Sequence, residues 1–145
     1  MSKDHMATLD DAILLAAQAH RGQKDKADGP YILHPLRLML KMSTEEEMMT
    51  AVLHDVIEDS EHTLSDLQQA GYPEPVLAAL ECLTRRETES YQEFIERTRP
   101  NPLARRVKLA DLDDNMNLQR IPHPQPRDLE RVEKYRRARA RLEAE

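Results

Sequence analysis

Apolar positions recur along the chain at three- and four-residue intervals and nowhere alternate cleanly, so the pattern predicts helices and no strand. Leu9, Ile13, Leu14, Ala16 and Ala17 share this spacing; the first helix is expected to run into Ala19-His20 and stop before Gly22. A polar loop, Gln23 to Pro30, follows. His34-Pro35 opens a second helix, with Pro in the first turn, where its missing N–H costs nothing, and with Leu36, Leu38, Met39 and Leu40 as apolar content. Two overlapping capping-box spacings, Ser43 to Glu46 and Thr44 to Glu47, predict a third helix over Glu45 to Ile57. Thr63 with Asp66 starts a short helix that Gly71 ends, and Pro75 or its neighbour begins the next, through Val76, Leu77, Leu80 and Leu83 to about Thr84.

The second half is more charged. Arg85 to Glu89 reads as a connector, and Ser90 with Glu93 caps a helix to about Thr98. Pro100-Asn101-Pro102 breaks the chain before a helix from Leu103 to Leu118. Ile121 to Pro126 is an extended linker, and Asp128 to Glu145 a last, highly charged helix. The expected fold is all-α: seven or eight helices, two of them short, in a single domain over 1–145 with its core at about 9–120 and a C-terminal helix at about 127–145.

Composition sharpens this. With 145 residues, 39% hydrophobic and 33% charged, the chain suits one globular domain and neither a collagen-like nor a membrane-spanning protein. The polar N-terminus, Met1 to Thr8, lacks the apolar core of a secretory signal, so a cytoplasmic protein is expected. Aromatic residues are 3% of the chain, so Leu, Ile, Val, Met and Ala must fill the interior. Three glycines cannot supply a phosphate-binding loop. The net charge of -6 argues against general nucleic-acid binding, and an anionic ligand would need a local basic patch or a metal. The single Cys82 excludes a disulfide framework and is expected to be a small buried hydrophobe.

Candidate chemistry lies in His54-Asp55-Val56-Ile57-Glu58-Asp59. On a continuous helix its four ionisable groups span an arc of roughly 140°, opposite Leu53, Val56 and Ile57. An adjacent His and Asp can reach one cation, and acids a turn later can hold and deprotonate its water. The same residues also suit a solvated acidic helix end. His34, His20 and Asp111 each admit an ordinary reading as well, as a helix cap, a partner for the first helix's C-terminal dipole and a surface charge beside Asp113 and Asp114.

Taken in order, His34, His54-Asp55 and Asp111 resemble the H…HD…D metal pattern of the HD phosphohydrolase superfamily. Ala19-His20-Arg21-Gly22-Gln23, Pro30-Tyr31-Ile32-Leu33-His34-Pro35 and Lys108-Leu109-Ala110-Asp111 with Asn115-Met116 narrow the resemblance to the hydrolase domain of RelA/SpoT alarmone enzymes, over about residues 9 to 135. The length leaves no room for a synthetase domain, so the chain resembles a stand-alone small alarmone hydrolase.

That resemblance implies an HD-domain helical bundle in which His34, His54, Asp55 and Asp111 bind one divalent metal, manganese being the expected ion. It implies that Glu58 and Asp59 position or activate the attacking water, Glu58 being the first choice as base, and that Asn115 contacts substrate. Lys24 and Lys26 in the first loop, and Arg85 in the connector, stand where the family places phosphate contacts. Tyr135 is carried as a residue beside the nucleotide on an otherwise solvated helix, and Lys108 as a residue that can face the site. The implied reaction removes the 3′-diphosphate of ppGpp-like nucleotides as pyrophosphate. Alternatives are another HD-type phosphatase, acting on a monophosphate or NADPH-like ester, and a non-catalytic alarmone-binding module. The chain departs from the family in the shortened Gly29-Pro30-Tyr31 and in Leu112-Asp113-Asp114, where Arg-Leu-His is usual. Adenosine alarmones therefore stand beside guanosine ones as candidate substrates.

Overall fold

The computed structural model describes residues 6–144. The readings that touch Met1 to His5 and Glu145 lie outside the described residues. Among those described, the helices are α1 (Leu9–Ala19), α2 (Leu33–Leu40), α3 (Glu45–Leu53), α4 (Val56–Asp59), α5 (Leu64–Gln69), α6 (Glu74–Leu83), α7 (Tyr91–Thr98), α8 (Pro102–Asn115) and α9 (Pro126–Glu143). A 3₁₀ turn, Leu118–Arg120, follows α8, where the sequence suggested continuous helix to Leu118. No described segment forms a strand; a single bridge, Lys24 to Pro30, closes the first loop.

Capping chemistry sets the helix starts. Thr44 with Glu47, Thr63 with Asp66 and Ser90 with Glu93 all close reciprocal boxes, and of the two overlapping spacings at the third helix the Thr44 one is used. Gly71 stands at φ +92° just past α5, the left-handed position that favours glycine at a helix end.

α3 is the central element, packed against α1, α2, α6 and α8. Its run Met49, Thr50, Ala51, Val52 and Leu53 is buried on every side, as a helix apolar all round must be. Its one interior hydroxyl, Thr50, donates to the Glu46 carbonyl at 2.8 Å. Leu53, Val52, Val56, Val76 and Leu80 form the main core with Ala12 and Ala16 of α1. Leu38, Ala51, Leu83 and Val107 form a second core, which Cys82 only flanks, half-buried rather than buried as expected. α9 lies on α7 and α8 through Ala138 and Leu142.

The third helix is not continuous through Ile57. His54 Nδ1 bonds the Ala51 carbonyl at 2.7 Å, taking the acceptor that the Asp55 N–H would use in an unbroken helix. Asp55 then sits at φ -106°, ψ 0°, and the chain restarts as α4. The side-chain arc inferred from an unbroken helix is replaced by a corner that turns His54 inward.

Candidate metal centre and its flanking cavities

Three parts of the chain meet behind that corner: the first turn of α2 brings His34, the α3–α4 junction His54 and Asp55, and the middle of α8 Asp111. His34, His54 and Asp111 are buried, and each offers a ligand atom within 4.8 Å of the others. His34 Nε2 lies 2.9 Å from Asp111 Oδ1. His54 Nε2 lies 3.0 Å from Asp55 Oδ2 and 3.3 Å from Asp111 Oδ1. Tyr31, at the mouth of α2, donates its hydroxyl to Asp55 Oδ2.

The donor set fits a cation. With the Ala51 carbonyl accepting from His54 Nδ1–H, the lone pair of a neutral ring is on Nε2, and that buried atom has no hydrogen-bond partner among the described residues. It faces carboxylate oxygens, so a lone pair meets negative charge unless a positive charge stands between them. Burial works against a charged imidazole, yet Asp55 and Asp111 raise the His54 pKa well above its ordinary value. Asp111, also opposed by burial, is held well below the carboxylate range by Lys108 and the two imidazoles. Lys108 reaches Asp111 Oδ2 at 2.9 Å, and Asn115 Nδ2 donates to its Oδ1 at 3.0 Å.

Glu58 and Asp59 follow on α4, exposed at the rim. Partial burial and the neighbouring Asp55 charge raise both carboxyls above their usual values. Glu58 Oε1 accepts the Arg85 backbone N–H at 2.6 Å, which ties the connector to the site. Asp59 is fixed through its carbonyl, which accepts from Gln23 Nε2 at 3.2 Å. His20, 1% exposed, bonds Gln23 Oε1 through Nδ1 at 2.9 Å and lies 4.9 Å from the Tyr31 ring. It braces the wall behind Tyr31 and Asp59 from the interior, rather than sitting at the surface as a dipole partner.

Cavities open on two sides of the cluster. One of ≈370 Å³ is lined by Lys24, Lys26, Asn115 and Tyr135, together with Tyr31, His34, Arg37, Asp114, Arg120 and Arg131. The other, ≈220 Å³, is lined by Glu58 and Arg85 with His54, Asp55, Lys108, Asp111, Lys134 and Tyr135. Tyr135 thus divides the two. Asp59 lines neither. A larger open groove of ≈1050 Å³, between the starts of α3 and α8, touches no residue of the cluster.

The structure therefore clusters His34, His54 and Asp111, leaves Asp55 beside His54 and outside that cluster, sets Asp55, Glu58 and Arg85 along the smaller cavity, and sets Lys24, Lys26, Asn115 and Tyr135 along the larger one. Sequence reasoning passed over Tyr31, Arg37 and Asp114 as site residues. Asp114 stands three residues after Asp111, and Arg37 three after His34, so in each case helical spacing put it on the same face.

No family model matches the chain. In fold it matches a solved metazoan ortholog of SpoT, described as hydrolysing ppGpp and acting in starvation responses, with a TM-score of 0.73 over 97% of this chain and 88% of that one, at 21% identity. In sequence it is 30% identical over 124 residues, 77% of this chain, to a guanosine-3′,5′-bis(diphosphate) 3′-pyrophosphohydrolase of Aquifex aeolicus. By sequence and fold, the chain is similar to SpoT-type ppGpp hydrolases. It is also 38% identical over 73 residues, 48% of its length, to the bifunctional (p)ppGpp synthase/hydrolase SpoT of Escherichia coli. It is 28% identical over 148 aligned positions, 93% of its length, to a GTP pyrophosphokinase of Streptomyces coelicolor. It spans only 18%, 10% and 16% of those three relatives, so the likeness is to one part of each.

Proposed function

We propose that the chain hydrolyses the 3′-diphosphate of alarmone nucleotides, ppGpp and pppGpp or their adenosine analogues, to the nucleoside 5′-di- or triphosphate and pyrophosphate. The observation that carries this reading is the convergence of His34, His54 and Asp111, with Asp55 3.0 Å from the buried, unpartnered His54 Nε2, beside a cavity edged by cationic side chains. These four residues would hold one divalent ion, and two imidazoles with two carboxylates suit manganese better than a closed structural zinc. When bound, such an ion supplies Lewis acidity toward phosphate oxygens and positive charge against an anionic substrate.

The remaining roles belong to the chain. Lys24 and Lys26 attract the nucleotide's phosphates into the larger cavity, where Tyr135 and Asn115 bound the nucleoside. Arg85 faces the departing diphosphate from the smaller cavity. Water attacks the phosphorus attached to the 3′ oxygen, the bond between them breaks, and the 3′ oxygen takes up a proton. Glu58 receives the water's proton on Oε2, since Oε1 is committed to the Arg85 N–H; its raised pKa brings it closer to an effective base at neutral pH. Asp59, outside both cavities, orients rather than reacts.

The test is product identification after incubation with Mn²⁺ and either ppGpp or ppApp. Pyrophosphate release is expected, with loss of activity in folded His54→Ala and Asp55→Ala. Glu58→Gln should lower kcat by roughly 10²- to 10⁴-fold, the range of a general base. Inorganic phosphate as the product, or no turnover of either nucleotide, overturns the reading.

A further inference from the structure

Asp114 is outside the ligand set above, yet it is 5% exposed and bound on all sides. Its Oδ2 lies 2.6 Å from His34 Nδ1. Arg37 grips the same carboxylate with two donors, Nε to Oδ1 at 2.8 Å and Nη2 to Oδ2 at 2.9 Å. Arg120 donates to the Asp114 carbonyl at 2.7 Å and stands 3.4 Å from Oδ2. The other ring nitrogen of His34 faces Asp111 in the cluster.

A neutral imidazole has one N–H and one lone pair. If Nδ1–H donates to Asp114, the lone pair of His34 is on Nε2 and points where the ion would sit, as it does in His54. The two rings reach this state by different means: His54 is anchored by a neutral carbonyl, His34 by a buried carboxylate. A carboxylate accepting from the far nitrogen of a ligand histidine fixes the ring's tautomer and orientation and increases its donor strength. We infer that Asp114 is a positioning residue of the metal centre, acting through His34, and that Arg37 and Arg120 hold its carboxylate in place. This rests on the metal-centre reading above.

The competing role is purely structural, a tie between α8 and α2 through Arg37. Mn²⁺ binding separates the two, measured on the full chain by isothermal titration and by the paramagnetic resonance signal of free Mn²⁺. Asp114→Asn keeps an oxygen that accepts from Nδ1–H but removes the charge, whereas Arg37→Gln cuts the tie and leaves the carboxylate on His34. Asp114→Asn should weaken Mn²⁺ binding roughly 10- to 100-fold and Arg37→Gln by less than about threefold. Equal losses in both variants, or none in Asp114→Asn, overturn the inference while leaving the metal centre standing. A wild-type chain that binds no Mn²⁺ overturns both. A readout free of any variant is nitrogen-15 spectroscopy of the Zn²⁺-loaded wild type, in which the His34 proton must be on Nδ1; a proton on Nε2 overturns the assignment.

Discussion

Lys108 shows how far one side chain can carry the site's charge balance. Its ammonium is 2.9 Å from Asp111 Oδ2 and packs over the Phe94 ring at 5.1 Å and the Tyr91 ring at 5.9 Å. Burial alone would lower its pKa, but Asp111 outweighs that and raises it, so the pair stays ionised. Removing one partner of a buried ion pair costs more than the pair contributes, since the remaining charge is left without compensation. Lys108→Met should therefore destabilise the metal-free chain by roughly 3 kcal/mol in urea unfolding with EDTA present. Saturating Mn²⁺ should narrow that deficit by supplying positive charge beside Asp111; a deficit that Mn²⁺ leaves unchanged would contradict the arrangement. At this scale the sequence was informative for the residues that cluster and less so for their supports. His34, His54-Asp55 and Asp111 are identifiable from residue type and order, whereas Asp114 reads as an ordinary surface acid until folding brings it against a histidine 80 positions away.

The connector between α6 and α7, which carries Arg85, owes its shape to one arginine. Arg97 binds the Glu89 carboxylate with two donors, at 2.7 and 2.9 Å, and also donates to the Glu81 carbonyl at 3.0 Å and the Thr84 carbonyl at 2.8 Å. The Arg97 guanidinium, with the Arg86 N–H, holds Glu89 down to a pKa of about 2. A depressed folded-state pKa means a contribution fully present above the unfolded value of 4.5 and lost as pH falls through about 2. Arg97→Ala should lower stability at pH 7 by roughly 1.5–3 kcal/mol. Glu89→Gln should be less stable than wild type at pH 7, with the gap between their melting temperatures closing from pH 4.5 down to about 2; a gap independent of pH would show that the carboxylate charge contributes nothing. The start of α7 after this connector was legible because the Ser90–Glu93 capping box is a local signal. The break at His54-Asp55 was not, because apolar spacing continues across it from Leu53 to Val56 and Ile57, and only the contest for the Ala51 carbonyl ends α3.

Across the whole molecule, the cluster joins α2, the α3–α4 corner and α8, with 77 positions between His34 and Asp111. The net charge of -6 is thus unevenly distributed: acids gather inside the centre and at its rim, while Lys24, Lys26, Arg37, Arg120 and Arg131 edge the larger cavity. Hydrophobic packing can bring the three segments together but cannot relieve the carboxylates that face one another there, so an ion that binds only the assembled cluster stabilises the fold as a whole. At a free Mn²⁺ concentration about a hundred times its Kd, the linkage is worth about 2.7 kcal/mol. For a chain of this size that corresponds to a rise in melting temperature of roughly 5–10 °C. Thermal melts should show this rise on adding Mn²⁺ and its reversal by excess EDTA. His54→Ala should melt at the same temperature with and without the ion, because the site is incomplete from the start. If that variant gains as much as wild type, Mn²⁺ is acting elsewhere on this acidic surface, and the union of the three segments around one ion is wrong.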